Sequence, residues 1–217
     1  MMTPVKKLIE IAKGEIGTVE EGDNLTKYGA AYGVNGVRWC MIFLWWLFRE
    51  AGLGPLFYGG GKTASCGELL RWAKREGLTV PVDAVKPADI VILNFSGRKV
   101  DGQLDTEHCG LVTTILGTGS IETVEGNTTT GAGSQSNGDV VAKKTRYAHQ
   151  VVGVIRPKYE TMDYVGHWAE DTFRWGVGKG LVKGYEDGSF QPDRTITRAE
   201  AVTILRRFYN MIGDDGK

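Results

Sequence analysis

The run Met41–Phe48 places eight apolar residues in a row between Arg38 and Arg49. Crossing a bilayer takes about 20 such residues, so this run must instead be buried in protein. In its frame, RWCMIFLWWLFREAGLG, it reads as a helix that is apolar almost all round and is stopped by Gly52 and Gly54. A helix of this kind has no face to offer water. Whatever else the chain forms must surround it.

Material for the surround lies on both sides. Thr3 as N-cap and Pro4 at the first helical position open a helix to about Gly17, with Val5, Leu8, Ile9, Ala12 and Ile16 at steps of three and four. A Gly-, Asn- and Tyr-bearing loop (22–36) leads into the central helix. Ser65 and Glu68 form a capping-box pair for a third helix that ends near Glu76. From Asp89 the texture changes to short β-rich runs: DIVILNF, HCGLVTTIL, SIETVEGN, VVAKKTRY and VVGVIRP. The tract TTTGAGSQSNG (128–138) reads as a loop. Helices followed by strands predict an α+β domain whose helices pack on an antiparallel sheet.

Beyond Pro157 the pattern changes again. A linker (158–162) precedes HWAEDTFRWGVGKG, read as a helix ended by glycines, then the turn-rich YEDGSFQPDRT and a second helix, TRAEAVTILRRFYN. Thr197 and Glu200 form another capping box. We therefore expect a first domain over 1–157 and a small all-α unit over 163–217. A unit of about 55 residues buries too little core to be strongly stable alone, so it should lean on a neighbour.

The 26 basic and 26 acidic residues balance, and dividing the chain at Pro157 leaves +1 and −1. No strong field points to nucleic acid or an anionic membrane, and neither is expected as a partner. The N-terminal MMTPVKKLIEIAKGEIG has no continuous apolar core and no small-residue cleavage site, so it does not read as a secretory signal. Cys40, Cys66 and Cys109 are odd in number and widely spaced, which argues against a disulfide framework and a zinc knuckle. Three scattered histidines with no HExxH or CxxC do not predict a tetrahedral zinc site. No metal and no cofactor are expected.

Cys40 opens the central helix at the end of a Gly-rich loop. A helix N-terminus and a nearby imidazole both favour a thiolate, the reactive form of cysteine. Free cysteines are also among the most buried and inert residues, so both readings stand. A nucleophilic Cys40 needs a histidine, and His108, His149 and His167 are available. His108 begins a strand, from which it could be aimed at a helix packed on the sheet. A third group should orient the imidazole, and the neighbouring SIETVEGN offers Glu122, Glu125 and Asn127. By strand alternation Glu125 and Asn127 share a face and Glu122 points away.

KYGAAYGVNGVRWCMIFLWWLFREAGL, PADIVILNF, EHCGLVTTI, IETVEGNT, SQSNGD and VVGVIRP, in this order, resemble a CHAP domain, the cysteine, histidine-dependent amidohydrolase/peptidase family of phage endolysins and bacterial autolysins. The resemblance covers residues 3–157 and implies a papain-like (NlpC-type) α+β fold. It implies Cys40 as nucleophile, His108 as base, Glu125 as the group orienting His108, and Asn127 as a fourth polar member that orients groups or helps bind the oxyanion. Met41 stands where a small residue is usual, and Cys109 where a valine, threonine or isoleucine is usual; changed packing is the expected result. Some members bind calcium through an Asp-rich loop ahead of the cysteine, but EEGDNLTKYGAAYGVNG has one aspartate, so calcium is not expected here.

The segment from MDYVGHWAEDTF to TRAEAVTIL is similar to a single S-layer homology (SLH) repeat, a family that binds anionic secondary polymers of Gram-positive peptidoglycan. By position Asp163, Trp168, Gly184, Arg198 and Glu200 match its recurrent residues. Arg198 at a helix N-terminus suits an anionic sugar substituent; Trp168 suits either sugar stacking or the small core. Such units usually come in threes that bury one another, so a single copy implies a homo-oligomer, as a trimer.

Together the resemblances imply a peptidoglycan hydrolase, either an N-acetylmuramoyl-L-alanine amidase or an endopeptidase, tethered to wall polymer. With no signal peptide read, it would wait in the host cytoplasm before lysis and act at the Gram-positive wall. The alternatives are a catalytically inactive wall-binding or S-layer-associated protein, and a cytosolic thiol transferase.

Overall fold

The computed structural model describes residues 4–117, 119–131, 133–159, 163–164, 167–185 and 189–214. The apolar run forms α3 (Cys40–Glu50), in which every residue from Cys40 to Trp45, with Leu47 and Phe48, is buried. Each such side chain, fully buried, contributes on the order of 1.5–3 kcal/mol, so α3 anchors the fold. Around it lie α1 (Pro4–Gly14), α2 (Lys27–Tyr32) and α4 (Cys66–Arg75). Thr3, the expected N-cap of α1, lies outside the described residues.

The strands are β1 (Thr79–Val80), β2 (Ile90–Leu93), β3 (Lys99–Val100), β4 (Gln103–Leu104), β5 (His108–Gly117), β6 (Ser120–Thr128), β7 (Val140–Tyr147) and β8 (Val151–Ile155). Six form an antiparallel sheet in the order β1-β8-β2-β5-β6-β7, and β3-β4 is a separate hairpin. Alternation divides the sheet's side chains. Ile90, Ile92, Cys109, Leu111 and Val124 join α3 in the main core. Val91, Leu93, Val112 and Ile121 form a second cluster on the opposite face. The architecture is α+β, with helices on an antiparallel sheet, as expected.

The differences from expectation are short elements. Residues 22–36 were read as a loop, yet they contain α2, capped by Thr26, whose hydroxyl accepts from Gly29 N (3.0 Å), and closed by left-handed Gly33. Six residues are too few to show helical periodicity, and two-residue strands such as β1 are too short to show alternation.

The C-terminal helices are α5 (Glu170–Gly178) and α6 (Arg198–Asp214). The capping box before α6 forms as expected: Thr197 Oγ1 accepts from Glu200 N (3.2 Å) while the Glu200 carboxylate accepts from Thr197 N (2.8 Å). This unit leans on the end of α3. Tyr164 Oη donates to Gly52 O (3.1 Å), buried Arg174 donates to Ala51 O (3.2 Å), and Val177 and Phe190 join the main core. Among the described residues no helix is long and apolar enough to cross a membrane.

Candidate active site

Cys40 is the first residue of α3 and is buried, its sulfur close to those of Cys66 and Cys109. No side chain of Trp39 caps the start of α3. Instead Trp39 N donates to Asn127 Oδ1 (3.2 Å), and its indole N–H donates to Glu20 (2.9 Å). The start of the helix is thus pinned from β6 and from the loop ahead of it.

His108, the first residue of β5, is fully buried. Its Nε2 lies 3.1 Å from Glu125 Oε2. With Nε2 engaged by the carboxylate, Nδ1 is the ring nitrogen left for the Cys40 thiol; it is buried and has no hydrogen-bond partner among the described residues. Glu125 is also fully buried and accepts from Arg146 Nε (2.8 Å), Arg146 Nη2 (2.5 Å) and Thr123 Oγ1 (2.6 Å). Arg146, on β7, is itself buried, and its guanidinium lies over the Phe95 ring (4.6 Å).

Cys40, His108, Glu125 and Arg146 therefore form a line of alternating charge out of water. Hydrogen bonds from the thiols of Cys109 and Cys66, together with His108, hold the Cys40 thiol well below its ordinary range despite burial. Burial opposes a charged imidazole, but Cys40 and Glu125 outweigh it and lift His108 to about 9. Burial likewise opposes a charged Glu125, yet Arg146 and His108 bring it down to about 2. The arrangement suits a thiolate–imidazolium pair, ready to attack a carbonyl carbon and to hand a proton to a leaving amine.

Two glycines make the geometry possible. A Cβ at Gly110 would lie 2.7 Å from Glu125 Cγ, so the His-x-Gly pattern leaves the space that Glu125 occupies. A Cβ at Gly126 would lie 2.5 Å from the Trp39 ring and 2.7 Å from Phe43 Cβ, so this glycine lets α3 rest directly on β6.

Two expectations are corrected. Glu125 and Asn127 do not act from one face: a bulge between Glu125 and Thr128, with Asn127 at φ 57°, turns Asn127 toward Trp39. Nor is the Asn127 amide free to bind an oxyanion, because Nδ2 donates to Asn24 Oδ1 (2.9 Å) and Gly138 O (2.7 Å). Asn127 positions the start of α3. The cysteines, widely spaced in sequence, come together in the fold: the sulfur atoms of Cys40, Cys66 and Cys109 all lie within 4.8 Å of one another. Arg146 and Thr123 were missed outright. A basic residue in VVAKKTRY carries no mark of burial, and only its place on the strand beside Glu125 reveals it.

The other histidines are elsewhere. His149 stacks on Tyr147, and His167 pairs with Asp193 (3.0 Å). Met41 is fully buried in the core, a packing role as expected.

The five residues matched in the C-terminal unit fall into two groups. Asp163 accepts from Phe190 N (2.7 Å) and Gln191 N (2.6 Å), tying a loop. A Cβ at Gly184 would meet Ser189 O at 2.9 Å, and Glu200 caps α6 and accepts from Tyr185 Oη (3.0 Å). These three have structural work. Trp168, 90% exposed, and Arg198, the exposed first residue of α6, face solvent.

Two family models match separate parts of the chain. Residues 32–127 match the CHAP domain and residues 163–202 the S-layer homology domain. Cell surface glycoprotein 1 of Acetivibrio thermocellus is 44% identical over 46 residues, 21% of this chain and 2% of that protein. The cellulosome-anchoring protein of the same organism is 42% identical over 50 residues (23% and 11%), and the S-layer protein sap of Bacillus anthracis 38% over 79 residues (34% and 10%). The chain thus spans at most about a tenth of these relatives' length. Among solved structures, the wild-type endolysin LysIME-EF1 is similar with a TM-score of 0.40 and 19% identity, over 74% of this chain and 66% of that one. The chain carries a CHAP domain followed by an S-layer homology domain.

Proposed function

We propose that the protein hydrolyses an amide bond of bacterial peptidoglycan through Cys40 and is held at the Gram-positive wall by its C-terminal unit, with the working division at 1–157, a linker at 158–162, and 163–217. The observation that supports this most is the buried line Cys40–His108–Glu125–Arg146 at the start of α3. In the reaction the Cys40 thiolate attacks the carbonyl carbon. Positive charge at the helix N-terminus, with the Cys40 N–H, stabilises the oxyanion. His108 gives its proton to the departing amine, and water, deprotonated by His108, then hydrolyses the thioester and frees Cys40. Glu125 keeps the imidazole aimed, and Arg146 keeps Glu125 charged.

The chemistry requires Cys40 deprotonated and His108 protonated at once. The expected kcat/KM on soluble muropeptides is therefore flat through neutrality. It falls at acid pH as the thiolate is protonated, and falls again through about pH 9 as the raised His108 loses its proton. An alkaline limb at the ordinary imidazole value of 6.5 would contradict the ion pair. Mass spectrometry of digested peptidoglycan identifies the bond: a new N-terminal alanine means a muramoyl–alanine amidase, and any other new amine an endopeptidase.

The proposed wall-polymer ligands are Arg198 and Trp168, both open to solvent, with Asp163, Gly184 and Glu200 shaping the loop between the helices. A groove of about 590 Å³ in the same unit is lined by Lys183, Tyr185, Arg194, Arg207 and Glu200, and its three cations against one carboxylate suit an anionic sugar chain.

The same unit supports self-association. On α6 Val202, Leu205, Tyr209 and Ile212 recur at steps of three and four, and each is more than half exposed. Such a stripe is a helix-packing seam without its partner. A second and third copy of the chain would cover it, so the expected light-scattering mass at micromolar concentration is that of a trimer. A monomer mass would remove this part of the proposal.

A further inference from the structure

We propose that Cys40, Cys66, Cys109 and His108 Nδ1 together form a binding site for a thiophilic d10 cation, with zinc the natural occupant. Three elements bring the sulfurs together: Cys40 opens α3, Cys66 opens α4 and Cys109 is the second residue of β5. All three are buried free thiols, mutually within 4.8 Å. A tetrahedral zinc with bonds of about 2.3 Å to sulfur sets its sulfurs roughly 3.8 Å apart, so contraction by about 1 Å or less completes the sulfur face. Two of the thiolates sit at helix N-termini, where the helix dipole favours negative charge.

His108 lies outside that 4.8 Å group of sulfurs, and its imidazole would close the site as the metal draws its ligands in. His108 Nδ1 is fully buried without a hydrogen-bond partner, while Nε2 on the far side of the ring is engaged by Glu125 at 3.1 Å. A metal-bound histidine is ordinarily held this way, with its second nitrogen donating to a carboxylate. The donor set, three sulfurs and one imidazole, excludes calcium and magnesium, which need oxygen, and fits zinc or its probe cobalt(II). As the metal binds, Cys66 and Cys109 each release a proton to solvent, the proton shared by Cys40 and His108 leaves from His108 Nδ1, and no electrons change hands.

Occupancy would tie up Cys40 and His108 together, leaving the protein unable to hydrolyse the wall. That consequence rests on the catalytic reading above; the binding does not.

The test uses the full chain, reduced and stripped with chelator, titrated with CoCl2 and then ZnCl2. The expected result is one equivalent of cobalt with a sulfur-to-cobalt charge-transfer band and the intense visible bands of a tetrahedral site, both erased by zinc. Cys66→Ser and Cys109→Ser, checked for folding by circular dichroism, should each weaken binding by at least about tenfold. Absence of the charge-transfer band, or unchanged affinity in both folded variants, overturns the site. A reduced protein that reoxidises in air to a Cys40–Cys66 disulfide in preference to binding cobalt overturns it too. Wall clearing is measured separately on metal-free protein, so failure of the hydrolase reading leaves the cobalt result standing. Clearing by zinc-saturated protein would refute the occlusion alone.

Discussion

Arg146→Met is expected to cost about 3–5 kcal/mol of folding stability, a large share of what a domain of this size possesses. Methionine keeps an unbranched apolar stem but removes both guanidinium contacts to Glu125, whose carboxylate is fully buried. That charge would keep only His108 and the Thr123 hydroxyl as partners. Urea unfolding at pH 7 reads the loss, and a change below about 1 kcal/mol would mean that Arg146 is not needed to hold the charge. The pH dependence separates support from mere packing. Glu125 is held at about 2 chiefly by Arg146, against its burial, so its contribution is present above the ordinary carboxylate value and lost as pH falls toward 2. Without Arg146 that loss begins at higher pH, and the acid limb of activity moves up with it. Adding Glu125→Gln should recover part of the stability, because a neutral amide has no charge to strand, while activity stays low.

Cys40→Ala is expected to reduce wall hydrolysis by about 10⁶-fold, the order seen when the nucleophile of a concerted catalytic unit is removed. Alanine fits within the volume of the thiol, so the main core around Met41–Phe48 should be undisturbed. Binding to cell walls should persist, since Arg198 and Trp168 lie in the C-terminal unit. Retained binding with lost clearing distinguishes a hydrolase from an inactive wall-binding protein. Loss of both would point instead to a folding defect, and circular dichroism would show it.

Much of this was legible in the chain. The all-round apolar pattern of Met41–Phe48 placed α3 at the centre, and Cys40 at its first residue follows from the boundary of that pattern. The β-rich runs from Asp89 match the five longer strands, because four or more β-favouring residues bounded by Gly, Ser, Asn or Asp are long enough to stand out. His108 stood out at the start of one β-rich run and Glu125 near the end of the next, and the family resemblance implied their roles. Asn127 was named too, but its sharing a face with Glu125 was misread. Alternation assumes a regular strand, and one bulge with one left-handed residue turned the side chain toward Trp39. Arg146 was invisible for a different reason. Nothing in VVAKKTRY says which of its cations will be buried; that depends on which strand becomes its neighbour. The three cysteines show the same limit, since ligand spacing in sequence detects a cluster only when its members are local.

The central claim is that Cys40 cuts the wall, and a turbidity assay on susceptible Gram-positive cell walls tests it most directly. Wild-type protein should clear the suspension and release new amino termini in step with the fall in turbidity. Cys40→Ala at equal concentration should leave both unchanged while still sedimenting with the walls. Equal clearing by the two proteins would contradict the assignment of Cys40 as nucleophile.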